Sequence, residues 1–163
     1  MTVSYLDKSE KDHWLPRLFD LLYENMQSIA PSGLPYEVER KEWLEAVSPA
    51  LDKAPRQIVM CFIAGELAGY IQYYIREQML MVEEIQLKRK YQRTLLFYKF
   101  CKYLLSVMPD HLQIIEAYAD KRNGNSIRLM EKLGMQPCET EANSSFVHMR
   151  GPAERIYQFL KYD

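Results

Sequence analysis

A strand, a helix and a second strand follow one another between residues 79 and 119, and this order constrains the fold most. Met79 to Leu87 is a largely apolar, β-rich run, and Leu112 to Ala119 is another. Between them, Thr94 to Met108 has a strongly apolar helical pattern. Because a crossover helix joins two strands in parallel, the segment predicts a parallel pair within a sheet.

The rest of the chain adds strands and helices on either side of this segment. One hairpin is predicted from the strands Gln57–Ile63 and Gly69–Ile75, with a turn at residues 64–68. A second is predicted from the strands Gln136–Thr140 and Ser145–Arg150, with a turn at Ala142-Asn143-Ser144. A short strand at Thr2–Leu6 precedes a helix from Ser9; further helices are predicted at Tyr36–Val47, ended by Ser48-Pro49, and at Pro152–Tyr162. The order β-α-α-β-β-β-α-β-α-β-β predicts an α/β (α+β) protein with a mixed sheet.

Composition excludes several classes of function. A length of 163 residues predicts one domain, residues 1–163, and a net charge of -1 argues against nucleic acid or an anionic membrane as partner. The N-terminus lacks the pattern of a signal peptide, and no apolar run reaches the ~20 residues of a membrane span. The three cysteines are widely spaced, so we expect reduced thiols, a cytoplasmic location and no metal site.

The segment that follows the second strand has clear helix signals at both ends. Asn123 can cap the first turn, and Gly134 can end the helix. Ile127, Met130 and Leu133 share one face at helical spacing. These residues predict a helix that begins directly after the strand.

Residues 123–134 also resemble the motif Asn-x-x-Ala/Ser-x-x-Leu-Tyr-Glu-Lys-x-Gly-Phe of GCN5-related N-acetyltransferases, the GNAT superfamily. The matching residues are Asn123, Ser126, Leu129, Glu131, Lys132 and Gly134, whereas Met130 and Met135 replace the family's Tyr and Phe. The resemblance covers essentially the whole chain. It implies the GNAT fold, a mixed central sheet with helices on both faces, and transfer of an acetyl group from acetyl-CoA to an amine of a small molecule or a protein.

The same resemblance implies a coenzyme A turn after the strand that ends at Leu87. The family pattern Gln-x-x-Gly-x-Ala begins here at Gln92, with Leu95 and Phe97 at its small positions. Either the turn presents its backbone N–H groups past outward-turned side chains, or cofactor binding is weakened or lost. Lys88, Arg89, Lys90 and Arg93 could contact the phosphates. The implied cofactor-binding residues are Ile85, Leu87, Gln92, Arg93, Thr94, Leu95, Leu96, Asn123 and Ser126.

Acetyl transfer needs a polarised carbonyl, a base for the amine and an acid for the thiolate. By the resemblance, the N–H of Leu87 polarises the carbonyl, and Glu83 or Glu84 is the base. The two glutamates point to opposite sides of the strand, and we favour Glu83. Because Met130 has no proton to donate, Tyr118 or Tyr91 is expected to protonate the thiolate.

Two alternatives stay open, and one class of site is not predicted. A GNAT-like module without activity would bind a ligand or a protein. A homodimerisation domain would use Tyr70, Tyr73 and Tyr74. The three histidines, including His148, are scattered along the sequence and predict no catalytic constellation. Acceptor contacts are expected from the loop at residues 29–35 and from the closing hairpin.

Overall fold

The computed structural model describes residues 1–53, 55–139 and 143–162, without the side chains of residues 161 and 162. Seven strands form one mixed sheet in the order β1-β2-β3-β4-β5-β7-β6. The strands are β1 (Thr2–Tyr5), β2 (Gln57–Ile63), β3 (Glu66–Arg76), β4 (Met79–Leu87), β5 (Ile114–Asp120), β6 (Gln136–Pro137) and β7 (Phe146–Pro152). The helices are α1 (Lys11–Gln27), α2 (Tyr36–Asp52), α3 (Leu96–Ser106), α4 (Gly124–Lys132) and α5 (Ala153–Tyr162).

This order matches the predicted one, although several boundaries are shifted, and two of the shifts have a clear physical reason. Helix α2 does not end before Pro49 but continues to Asp52, because Val47 and Leu51 are buried. Burying each side chain contributes about 1.5–3 kcal/mol, which offsets the hydrogen bond that Pro49 cannot donate. The first hairpin turn is only Ala64-Gly65, since both have positive φ, 51° and 80°, as a two-residue turn requires.

Two compact units make up the chain: residues 1–74 with 84–92, and residues 75–83 with those from 93 onward. The expected single domain stays a prediction. In the closing hairpin, Thr140 and Ala142 lie outside the described residues, whereas Gln136 pairs with Arg150 as an antiparallel ladder.

The core of the first unit lies between two helices and the strands β2 and β3. Strands β1, β2 and β3 pair antiparallel in sequence. Helical spacing puts apolar residues of α1 and α2 on this core, and alternate residues of the strands meet them. The buried cluster contains Leu15, Leu18, Leu21, Val47, Leu51, Ile58, Met60 and Tyr70. Of the three tyrosines named for a dimer, Tyr70 and Tyr73 are buried and Tyr74 is half-buried, and the dimer stays a prediction.

In the second unit, β5 pairs with β4 in parallel and with β7 antiparallel. The parallel register runs from Met79 opposite Ile114 to Val82 opposite Ala117. Helix α4 follows β5 and has the predicted cap: the N–H of Ser126 donates to Asn123 Oδ1 at 3.1 Å. At its other end, Gly134 has φ +85° and donates to the carbonyl of Glu131, which closes the last turn.

Candidate functional site

The end of β4 is held by a network of amide groups, which we call the strand-end network: the buried Asn25, Gln86 and Leu87, and the exposed Gln92. Asn25 on α1 donates through Nδ2 to Gln86 Oε1 at 2.8 Å and to the Leu87 carbonyl at 3.0 Å. Gln92 Nε2 donates to the same carbonyl and to Asn25 Oδ1, both at 3.0 Å. Two side chains from distant parts of the sequence therefore fix one carbonyl group.

Glycine at position 69 lets β3 lie against this strand end. A Cβ atom at Gly69 would overlap the Gln86 carbonyl oxygen and the Leu87 side chain, and would lie 3.1 Å from Leu87 Cα. The next amide, Lys88 N–H, donates to the Ala68 carbonyl at 2.8 Å. These contacts with β3 hold the backbone around Leu87 in place. We expect the N–H of Leu87 to polarise the thioester carbonyl.

The next residues along the chain form what we call the basic turn, Lys88, Arg89, Lys90 and Arg93, and its side chains differ in their surroundings. Lys90 pairs with Glu66, Nζ to Oε2 at 3.0 Å, and lies over the Tyr91 ring at 5.1 Å. The hydrogen bond to Glu66 raises the pKa of Lys90. Lys88 is partly buried and Arg89 is exposed. Lys90 therefore has a carboxylate partner of its own.

In the second unit, the backbone at position 95 has a conformation that any residue can adopt. The positive φ of the turn is at Arg93, 61°, whereas Leu95 has φ -64° and ψ -7°. The Leu95 side chain is 64% exposed. Thr94 Oγ1 accepts the N–H of Leu96 at 3.2 Å, so α3 begins with a hydroxyl cap.

Phe97 and α4 complete the predicted cofactor segments of this unit. Phe97 is half-buried, with its ring at right angles to that of Tyr98 at 5.5 Å. Asn123 and Ser126 are also half-buried, and the Asn123 side chain caps α4. No residue of α4 is fully buried, so the predicted contacts to coenzyme A lie on a helix whose sides are only partly covered.

The outward face of β5 and β7 carries four polar and aromatic side chains, which we call the β5–β7 cluster: Glu116, Tyr118, His148 and Arg150. Glu116 Oε2 lies 3.0 Å from His148 Nε2, and Glu116 Oε1 lies 3.2 Å from Arg150 Nε. The Tyr118 ring stacks on the His148 ring, with centroids 4.5 Å apart and an angle of 10°. Cross-strand pairing explains the arrangement, because Tyr118 lies opposite His148 and Glu116 opposite Arg150.

Glu83 shares this face, as the register of β4 shows. Met81 pairs with Glu116 in the parallel ladder. Side chains alternate along a strand, so Glu83, two residues after Met81, is on the same side. The second unit therefore brings Glu83 and Tyr118, two of the predicted catalytic residues, to one face of its strands.

Glu84, in the first unit, has a different environment. Its carboxylate accepts a hydrogen bond from the hydroxyl of the buried Tyr70. Burial and the neighbouring Glu84 carboxylate raise the pKa of Tyr70 well above its ordinary value. Glu84 thus has a structural partner, and the preference for Glu83 as the base stays a prediction.

Sequence reasoning missed Asn25, Glu116 and His148. A buried Asn in an amphipathic helix was the one available signal for Asn25. Within residues 1–53, 55–139 and 143–162, no group of histidine, cysteine, aspartate and glutamate could hold a metal ion. Across the same residues, no helix is long and apolar enough to cross a membrane.

Comparisons with known proteins agree on one family. The model of the Acetyltransferase (GNAT) family matches residues 15–135, and no curated protein sequence matches the chain. The PaiA N-acetyltransferase of Thermoplasma acidophilum, solved with coenzyme A, has 13% identity and a TM-score of 0.69, covering 93% of this chain and 99% of that one. An acetyltransferase of Thermus thermophilus has 13% identity and a TM-score of 0.71, covering 93% and 97%. These similarities confirm the predicted fold.

Proposed function

Because the chain belongs to the Acetyltransferase (GNAT) family, we propose that it acetylates a primary amine of a small molecule or a protein through the residues described above. Family membership supports the acetyltransferase activity and the co-substrate acetyl-CoA that the sequence predicts. The observation that carries the assignment of residues is the fixed end of β4, followed at once by a basic turn and a helix N-terminus.

The N-terminus of α3 and the basic turn suit the phosphates of coenzyme A. Unpaired backbone N–H groups at a helix start bind anions, and the exposed Leu95 does not need glycine's conformations. This supports the first of the two alternatives for the turn, in which N–H groups are presented past outward-turned side chains. The proposed cofactor contacts are Ile85, Leu87, Gln92, Arg93, Thr94, Leu95, Leu96, Asn123 and Ser126.

The proposed chemical roles follow from the two environments already described. The Leu87 N–H polarises the thioester carbonyl, since the strand-end network and Gly69 fix the backbone there. Glu83 accepts a proton from the reacting nitrogen, and Tyr118, which is half-exposed, returns one to the thiolate. Glu84 takes no proton in this scheme, because it holds the Tyr70 hydroxyl.

Calorimetric titration with acetyl-CoA tests the cofactor assignment. Arg93→Gly removes the charge and supplies a residue that adopts a φ of 61° without strain. We expect Arg93→Gly to weaken binding about tenfold, the effect of one lost hydrogen bond to a charged group. Arg76→Ala, an exposed arginine before β4, serves as the control and should bind as the wild type does. Equal affinity of wild type and Arg93→Gly would remove the basic turn from the site.

Turnover separates the enzyme from a module that only binds acetyl-CoA. A panel of amines with detection of released thiol should show acetylation of at least one acceptor class. Binding of acetyl-CoA without turnover on any amine would favour the non-catalytic alternative. A cytoplasmic location and a homodimer stay predictions, which fractionation and sedimentation test.

A further inference from the structure

The carboxylate of Glu116 is largely withdrawn from water and has a partner at each oxygen. Its side chain is 14% exposed and that of His148 is 17% exposed. Burial of a carboxylate is costly unless hydrogen bonds and opposite charge compensate it. Arg150 at Oε1 and His148 at Oε2 provide them. Glu116 is thereby fixed as the orienting group for the imidazole.

The arrangement also determines which nitrogen of His148 is basic. With Nε2 directed at Glu116, the neutral ring donates Nε2–H to the carboxylate and keeps its lone pair on Nδ1. The stacked Tyr118 ring restricts rotation of the imidazole. His148 is thus oriented by one neighbour and stacked on another, as a proton acceptor needs to be.

The reaction itself requires two proton acceptors. An alkyl ammonium loses one proton to become a nucleophile, and the nitrogen loses a second after it has attacked the thioester carbon. The C–N bond forms, the C–S bond breaks with its electron pair on sulfur, and the thiolate takes up one proton. One proton is therefore released overall for each acetyl group transferred.

The two acceptors differ in base strength. The ammonium of an alkyl amine is a weak acid, with a pKa near 10 as in lysine, whereas imidazole and glutamate have ordinary pKa values of about 6.5 and 4.3. The stronger base is needed for the first proton, and a carboxylate suffices for the second, because the attacked nitrogen is far more acidic. We infer that His148, oriented by Glu116, accepts the first proton of an alkyl ammonium acceptor, and that Glu83 accepts the second.

This inference rests on the proposed acetylation of an amine. Among the described residues, the groups that face the imidazole or its partner include Glu116 and Tyr118 from β5, Arg150 from β7, and Cys138, whose N–H donates to the His148 carbonyl at 2.8 Å. A protonated imidazole accepts no further proton, so activity on alkyl amines should rise with pH.

The test compares two acceptors in one active site: an alkyl amine that the panel shows to be accepted, and its β-fluorinated analogue, whose pKa lies below the assay pH. His148→Gln should lower kcat/KM for the alkyl amine about a hundredfold at neutral pH. For the fluorinated amine, which binds already unprotonated, kcat/KM of His148→Gln should stay within about twofold of the wild-type value. The loss on the alkyl amine should shrink towards about pH 9, where more of the amine is neutral.

Glu83→Gln should instead lower the rate with both amines, since both lose the second proton. His111→Gln, at an exposed histidine of the same unit, is the matched control and should change neither rate. Glu116→Gln keeps the size of the side chain and should reduce the alkyl-amine rate about tenfold, with the acetyl-CoA affinity unchanged. Tyr118→Phe keeps the stacked ring but removes the proposed acid, so it should lower the rate with both amines.

Three outcomes would overturn the inference. Equal losses with both amines in folded His148→Gln would show a structural role. Wild-type kcat/KM of His148→Gln with the alkyl amine would show no role at all. If His148→Gln fails to fold, an unchanged alkyl-amine rate and pH profile in Glu116→Gln would also overturn the inference. In each case wild-type turnover persists, whereas failure of the proposed function would appear as wild-type enzyme without turnover on any amine.

Discussion

The strand-end network and the β5–β7 cluster are built from different chemistry. The network consists of neutral amides and backbone groups, and its members Asn25 and Gln86 are only 5% and 9% exposed. The cluster contains ionisable side chains, and its Tyr118 and Arg150 are about half-exposed. Neutral hydrogen bonds keep their geometry at all moderate pH values, whereas a histidine–carboxylate pair changes charge. The first arrangement suits positioning, and the second suits proton transfer.

The largest expected effect comes from filling the space at Gly69. Gly69→Ala should lower the free energy of unfolding by about 3 kcal/mol, since its methyl group overlaps the Gln86 carbonyl and must displace the backbone. Denaturant unfolding measures this loss, and acetyl-CoA titration should show weaker binding. Gly124→Ala, at the first residue of α4 with no atom within 4 Å of the added carbon, is the matched control and should be neutral or slightly stabilising. Equal stability of the two variants would show that β4 tolerates displacement at this point.

A smaller effect is expected from removing the amide at the centre of the network. Asn25→Leu removes the hydrogen bonds that Asn25 donates to the Gln86 side chain and to the Leu87 carbonyl. This change should lower the free energy of unfolding by about 2 kcal/mol. Because neutral groups alone are involved, the loss should be the same from about pH 5 to pH 8. Asn125→Leu, at an exposed residue of α4, is the control. A pH-dependent loss in Asn25→Leu would contradict the contrast drawn between the two regions.

The sequence predicted elements better than side-chain networks, because the two depend on different distances along the chain. β2 and β4 have the predicted bounds, Gln57–Ile63 and Met79–Leu87, since alternation and flanking turns are local signals. The cap at Asn123 was found for the same reason, with Ser126 three residues away. Pro49 misled the prediction of α2, because buried neighbours, which the local pattern does not reveal, offset its missing N–H.

The networks could not be read from the sequence. Asn25 is 62 residues from Leu87, and Glu116 is 32 residues from His148. Glu116 and His148 come together because β5 pairs with β7. The register of this strand pair is not determined by the turn before β7. The family resemblance supplied Glu83, Tyr118 and the cofactor residues, and these assignments stay predictions until they are tested.

The smallest expected effect concerns Asp120, which ends β5 on the same side of the strand as Glu116 and Tyr118. Arg122 donates to it through Nε and Nη2, each at 2.9 Å, and through its backbone N–H at 2.8 Å. The side-chain hydrogen bonds from Arg122 lower the pKa of Asp120 below its ordinary value near 4. A carboxyl with a lowered pKa stabilises the fold above its unfolded-state pKa, and this contribution is lost as the pH falls through its folded-state value.

Asp120→Asn should therefore be less stable than the wild type at neutral pH and should match it in acid, below the folded-state pKa of Asp120. Since half of the Arg122 side chain is in water, the difference should be small. Unfolding as a function of pH measures it, and Arg122→Gln should reproduce it. In the double variant the pH-dependent difference should not grow further, because both single changes remove the same pair. If the difference in the free energy of unfolding persists unchanged into acid, the loss comes from packing. Asp120 would then be as independent of pH as the neutral strand-end network.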